Sequence, residues 1–198
     1  GTGKEYLARA IHVSGASGRS FHTLRCAGTT ADAVRSLAEA PPGTLFLRGV
    51  EDLSAEAQGA LLWLLDARDD LRIIATAGPR FDAASGPLRN DLFFRLSGAV
   101  LTVPALRMRR DFDWLLERLF RRRAPEGMRL TPAARIELAG RDWPGNIREL
   151  AHALDAAIAM ADGPVIDLPD LTPRSTFPPG DATPEHDLES LLLACRWN

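Results

Sequence analysis

Lysine is almost missing from this chain. Of its 24 basic residues only Lys4 is a lysine, and the other 23 are arginine. Arginine saturation is what compositional drift in a GC-rich genome produces, so the number carries little, whereas the place of the one lysine is informative. Cysteine is scarce as well. Cys26 and Cys195 lie far apart with no C-x-x-C pair, which excludes a disulfide framework and a zinc module and fits a reducing cytoplasm. No apolar run approaches the length of a membrane span, Ala60 to Leu65 being among the longest, and no signal peptide is visible. Charge of one sign is lacking too: a net charge of −2 and a pI near 6.1 exclude a body-wide polyanion-binding surface, so any DNA contact is local. His12, His22, His152 and His186 show no metal-ligand spacing, and surface or helix-face positions account for them. No metal site is assigned. The 198 residues suffice for one large or two small domains. They begin at Gly1 without methionine and stop inside an apolar helical pattern, which reads as a fragment at both ends.

The first half alternates helical and strand patterns. A helix over 4–13 precedes a strand over 21–27, and a helix over 30–40 precedes the apolar run Thr44-Leu45-Phe46-Leu47, suited to a buried parallel strand. Ser54 is the expected N-cap of a helix reaching Asp66. Strands over 71–77 and 99–103 follow. Strands separated by helices predict a parallel sheet between helical layers. The second half is helical: 112–123, 133–139 behind a Thr131-Pro132 cap, and a longer helix carrying Ile147, Leu150, Ala151, Leu154 and Ile158. Five prolines between Pro169 and Pro184 mark a linker, and a new amphipathic helix starts near Glu185.

Gly1-Thr2-Gly3-Lys4 opens the first helix. Glycines there let backbone N–H groups approach a phosphate, the helix N-terminus adds its positive end, and a lysine reaches the outer phosphates. Taken alone the tetrapeptide fits an ordinary glycine-rich helix start better, because Glu5 stands where that pattern wants Ser or Thr.

The remainder of the chain shifts that balance. Gly1-Thr2-Gly3-Lys4-Glu5 and Ala8-Arg9-Ala10-Ile11-His12 resemble the phosphate-loop region of bacterial sigma-54-dependent transcription activators, whose AAA+ domains carry GTGKE here. The resemblance continues through Gly43-Thr44-Leu45-Phe46-Leu47, Arg89-Asn90-Asp91-Leu92-Phe93-Phe94-Arg95-Leu96, Leu106-Arg107-Met108-Arg109-Arg110-Asp111 and Trp143-Pro144-Gly145-Asn146-Ile147-Arg148-Glu149-Leu150. It covers nearly the whole chain in order. It implies an α/β fold: an AAA+ P-loop three-layer core with a parallel sheet over 1–107, its N-terminal part missing, and an α-helical lid over 108–168. A proline-rich linker over 169–184 and the truncated start of a Fis-type helix-turn-helix over 185–198 would follow. Under the resemblance Gly1, Thr2, Gly3, Lys4, Glu5 and Arg148 bind ATP or ADP, Lys4 on the outer phosphates and Arg148 as the lid arginine. Arg89 and Arg95 match the arginine-finger region, which acts on nucleotide held by a neighbouring subunit if hydrolysis survives.

The departures are specific. After Leu47 the family places Asp-Glu, the Walker B pair that supports Mg²⁺ and activates water; this chain has Arg48-Gly49. A cation repels Mg²⁺, and glycine neither orients nor deprotonates water. Glu51 and Asp52 read as carboxylates of the turn before the next helix. The sensor I asparagine is replaced by Gly78, and the interval from Cys26 to Gly43 lacks the GAFTGA loop that presses on sigma-54. The expectation is a cytoplasmic, DNA-binding transcription regulator that binds nucleotide with impaired hydrolysis. Its partners would be DNA through the C-terminal unit, RNA polymerase without the sigma-54 contact loop, and further copies of itself; no membrane is implied. Two alternatives stand beside it: an active ATPase remodelling sigma-54 polymerase with Glu51 or Asp52 in place of the lost acids, and a nucleotide-free oligomerising scaffold.

Overall fold

A computed structural model of the chain describes residues 1–16, 18–78, 81 and 86–171. Among the described residues the fold divides into two compact units, one running Lys4–Leu101 and the other combining Gly1–Gly3 with residues 102–171.

In the first unit, α1 (Lys4–Ala16) leads to β1 (Ser20–Arg25), α2 (Ala31–Arg35) with a 3-10 turn behind it, β2 (Gly43–Arg48), α3 (Ala55–Ala67), β3 (Leu71–Thr76) and α4 (Asn90–Leu96). The three strands form one parallel sheet in the order β1-β2-β3, with Arg25 opposite Arg48 and Arg48 opposite Thr76 at their carboxyl ends. The central strand is apolar on both faces because both are covered. Leu45 and Leu47 point into a core with Val34 of α2, Leu61 and Leu64 of α3 and Leu92 of α4. Thr44 and Phe46 point the opposite way, where His12 of α1 shares a 2.8 Å hydrogen bond with Thr44 and Phe21 stacks on Phe46. Strand alternation thus produces the three layers. Each large buried side chain on β2 contributes about 2 kcal/mol. Ser54 caps α3 and Thr30 caps α2, each hydroxyl accepting from the backbone three residues on.

Two expectations are corrected here. The strand expected over 99–103 does not form among the described residues; Val100 and Leu101 are exposed, and an extended run becomes a strand only where a neighbouring backbone pairs with it. The expected helix over 30–40 ends at Arg35 and tightens into the 3-10 turn Ser36–Glu39. His12 takes the helix-face alternative, on the buried face of α1.

The second unit is helical. It contains a 3-10 turn (Leu106–Met108), α5 (Phe112–Arg121), β4 (Arg129–Leu130), α6 (Pro132–Ala139), α7 (Asn146–Met160), β5 (Val165–Ile166) and a 3-10 turn (Leu168–Asp170). Leu116, Leu138, Leu150, Leu154 and Ile166 are fully buried in its core. The two short strands pair in parallel, a feature too brief for a sequence pattern. The expected linker starts inside ordered backbone, since Pro169 belongs to the last 3-10 turn. Residues 172–198, with the rest of the linker and the expected helix-turn-helix start, lie outside the described residues.

The Trp143-Pro144-Gly145-Asn146 segment is the tightest bend of this unit. Trp143 and Asn146 both have positive φ, 48° and 56°, a costly conformation for a bulky residue that Asn tolerates better. Burial of the Trp143 ring and its Nε1 bond to the Leu138 carbonyl at 2.8 Å hold the first. The Asn146 amide holds the second, Oδ1 accepting from the Leu106 backbone N–H at 2.7 Å and Nδ2 donating to the Pro144 carbonyl. Asn146→Ala removes both bonds and the tolerance for this φ, so it should destabilise the unit by about 1–3 kcal/mol. Asn146→Gly, which keeps the φ, should cost less; denaturant titration followed by tryptophan fluorescence measures both.

Candidate functional site

Parallel α/β sheets present ligands with the carboxyl ends of their strands. In the first unit that edge is made by Arg48, the backbone beyond it, and the start of α1. Lys4 opens α1, and its ammonium has no ion-pair partner among the described residues. Glu5, in the same turn, accepts from Arg9 Nη2 at 3.2 Å and lies 3.7 Å from Arg48 Nη1. The Arg48 and Glu5 side chains are 50% and 43% exposed. A water-facing pair at that distance contributes about 1 kcal/mol or less, so the Arg48 guanidinium is held only weakly.

Beyond Arg48 the chain turns sharply. Gly49 has φ 74°, a left-handed conformation that glycine adopts freely, and its N–H donates to the Thr76 carbonyl at 3.0 Å. The 3-10 turn Val50–Asp52 then brings Glu51 back over the end of β3. Glu51 Oε1 accepts from the Gly78 N–H at 2.6 Å. A Cβ on Gly78 would stand 2.9 Å from that oxygen, so the carboxylate occupies room a side chain at position 78 would need. Glu51 Oε2 is buried without a hydrogen-bond partner. The acid read as an ordinary turn carboxylate therefore fastens the turn after Gly49 to the backbone beyond β3.

A divalent metal does not fit this edge. The side chain that ends β2 is a cation, its partner Glu5 also serves Arg9, and one oxygen of Glu51 is taken by a backbone N–H. Among the described residues no three His, Cys, Asp or Glu side chains converge as metal ligands.

The remaining site candidates fall in separate places. Arg89 precedes α4; its backbone N–H donates to buried Gln58 at 2.8 Å and its guanidinium grips Asp91 with two bonds. That bidentate contact raises the Arg89 pKa and lowers that of Asp91. Arg95, the penultimate residue of α4, pairs with Asp66 of α3. Both expected finger arginines are thus half-exposed and engaged by acids of their own chain. In the second unit, Gly1 accepts from the Ile147 N–H at 3.1 Å, Gly3 has φ 93°, and Thr2 Oγ1 is buried without a partner. Arg148 is exposed in the first turn of α7.

The comparisons with known proteins bear on this geometry. Residues 1–106 match the sigma-54 interaction domain, and residues 107–188 match the AAA+ ATPase lid domain. The chain belongs to the sigma-54 interaction domain family. Its AAA+ fold is shared with NtrX from Brucella abortus in complex with ADP, at a TM-score of 0.74 and 29% identity over 87% of this chain and 47% of that one. The same protein in complex with ATP superposes at 0.72 with 30% identity, covering 86% of this chain and 49% of that one. The acetoin catabolism regulatory protein of Cupriavidus necator is 34% identical over 93% of this chain and 34% of its own length. The transcriptional regulatory protein ZraR of Salmonella typhimurium is 34% identical over 98% of this chain and 54% of its own. The chain therefore spans between a third and about half of the regulators it matches.

Cys26, just past β1, is fully buried beneath this edge. Burial first, and then the charges of Glu51 and Asp52, push its thiol up to about 11 from an ordinary 9.0. The unfolded chain releases that proton at lower pH than the folded one, so stability is undiminished below pH 9 and falls as pH rises towards 11. Cys26→Ala should flatten the fall between those limits, as read by denaturant midpoints across the pH series. At neutral pH the native thiol should resist alkylation, because the neutral thiol is a poor nucleophile.

Proposed function

We propose that this chain is the nucleotide-binding regulatory module of a bacterial transcription regulator of the sigma-54-activator type, holding ATP or ADP without efficient hydrolysis. The observation that carries the second half is the end of β2. Arg48 and Gly49 stand where the family resemblance places the metal-supporting and water-activating acids, and Glu51 is turned onto the Gly78 N–H instead. Nucleotide binding is supported by the family itself, by the ADP and ATP complexes of NtrX, and by the retention of Lys4 as the one lysine of the chain. A compact ammonium on a flexible stem suits a phosphate better there than a planar guanidinium. Gly1, Thr2, Gly3, Glu5 and Arg148 complete the proposed binding set. Arg89 and Arg95 are the proposed inter-subunit contacts of a homo-oligomer, free to exchange their surface acids for a neighbour's groups.

In this reading nucleotide sets the assembly state, DNA contact lies with the C-terminal residues beyond 171, and RNA polymerase is met without a GAFTGA loop. A cytoplasmic location accompanies it; no helix among the described residues is long and apolar enough to cross a membrane.

One observation favours the alternative of an active ATPase: the unpartnered Oε2 of Glu51, a buried carboxylate oxygen that could take a proton from water. Steady-state ATP turnover separates the readings. Loss of the catalytic acids predicts turnover about 10²–10⁴-fold below ZraR measured alongside, unchanged by Glu51→Gln, with nucleotide binding abolished by Lys4→Ala. Turnover comparable to ZraR that Glu51→Gln removes would establish the active ATPase. Failure of the intact protein to bind a labelled ATP analogue would leave the oligomerising scaffold.

A further inference from the structure

We propose that Arg48 takes the place of the divalent metal, so that the chain binds nucleoside di- or triphosphates free of Mg²⁺. The inference rests on the nucleotide-binding reading above and specifies the form of its ligand.

Four observations converge on it. Arg48 is the last residue of β2, directly after the fully buried Leu47, so its side chain leaves the sheet at the ligand-facing edge. Its guanidinium reaches the first turn of α1, beside the residue that follows Lys4. Its hold there is loose: the contact to Glu5 spans 3.7 Å, while the same carboxylate keeps Arg9 at 3.2 Å. Arg48 can therefore move to a phosphate without leaving Glu5 unpaired. The acids that would make a metal welcome are missing, Glu5 is shared with Arg9, and the Glu51 carboxylate of the following turn is bonded to the Gly78 N–H.

The chemistry follows from charge and geometry. A nucleotide chelated to Mg²⁺ brings a double positive charge, which at this edge meets a cation instead of a carboxylate. The free nucleotide brings bare phosphate oxygens, and a planar guanidinium binds two of them with parallel, charge-assisted hydrogen bonds. Arg48 and Mg²⁺ are thus alternatives for the same oxygens. The site gains affinity from the arginine and loses the polarisation that a metal gives a reacting phosphoryl group.

Fluorescent N-methylanthraniloyl-ATP and the corresponding ADP, titrated into the full chain in excess EDTA and in excess Mg²⁺, test this. The expected result is binding in EDTA at least as tight as in Mg²⁺. Arg48→Ala should weaken binding in EDTA by about tenfold or more and change binding in Mg²⁺ far less. Arg48→Asp should bind only when Mg²⁺ is present. Arg48 is solvent-facing, and unchanged thermal midpoints verify that the variants fold. Binding that requires Mg²⁺ in the unaltered chain would overturn the inference while leaving the nucleotide-binding reading intact. Undiminished affinity of Arg48→Ala in EDTA would overturn it equally. Absence of binding in both buffers would overturn the inference and the reading beneath it.

Discussion

Burial of β2 between two parallel neighbours and two helical layers is the constraint on which the first unit depends. Leu45 and Leu47 commit one face of the strand to α2, α3 and α4, and Thr44 and Phe46 commit the other to α1. A slip of one residue would exchange those faces and set the buried hydroxyl of Thr44 among leucines. The strand's register is therefore stiff, and its carboxyl end delivers Arg48 and Gly49 to one place. Both residues stand where the fold gives them no freedom to shift along the chain.

A left-handed Gly49 and one 3-10 turn swing Glu51 back over β3, where its carboxylate meets a backbone N–H. That contact satisfies a donor and fills the space above Gly78. The result resembles a structural fastening more than a hydrolytic centre, although it is built from an acid. Beside it the cationic side is unusually rich: Lys4 lacks an acidic partner among the described residues, and Arg48 is only loosely held. At this edge Glu5 is shared between Arg9 and Arg48, while Glu51 is turned onto the Gly78 N–H.

The helical unit shows a second use of constrained backbone. Two non-glycine residues with positive φ flank Pro144 and Gly145, and each is locked by its own side chain, Trp143 by burial and Asn146 by its amide. The bond from the Leu106 N–H to Asn146 fastens the entry of the unit to the start of α7, from which Arg148 projects. The tryptophan-proline-glycine-asparagine pattern thus has a physical reason apart from nucleotide: each residue type answers a local steric or hydrogen-bonding demand. Farther along, the pair of Arg109 with Asp111 is almost wholly buried at the entrance to α5, which ties the arginine-rich segment before that helix to its first turn.

Much of this was legible in the residues alone. Periodicity located α1, α3, α5, α6, α7 and the first three strands, because burial of one face repeats every 3.6 or 2 residues and leaves its mark locally. The caps at Ser54 and Thr131 were readable from residue type at a helix start, and the order of motifs pointed to the family. The 99–103 run misled because apolar content does not reveal whether a neighbouring backbone is there to pair with it. Contacts between distant segments were beyond a linear reading. That Glu5 meets Arg48, that Glu51 reaches Gly78, and that His12 goes inside to Thr44 all follow from how α1 and β3 lie against β2. Residue type determined which charges this edge of the protein carries; only the tertiary arrangement decided which side chains meet there, because their meeting is set by strand register and layer packing.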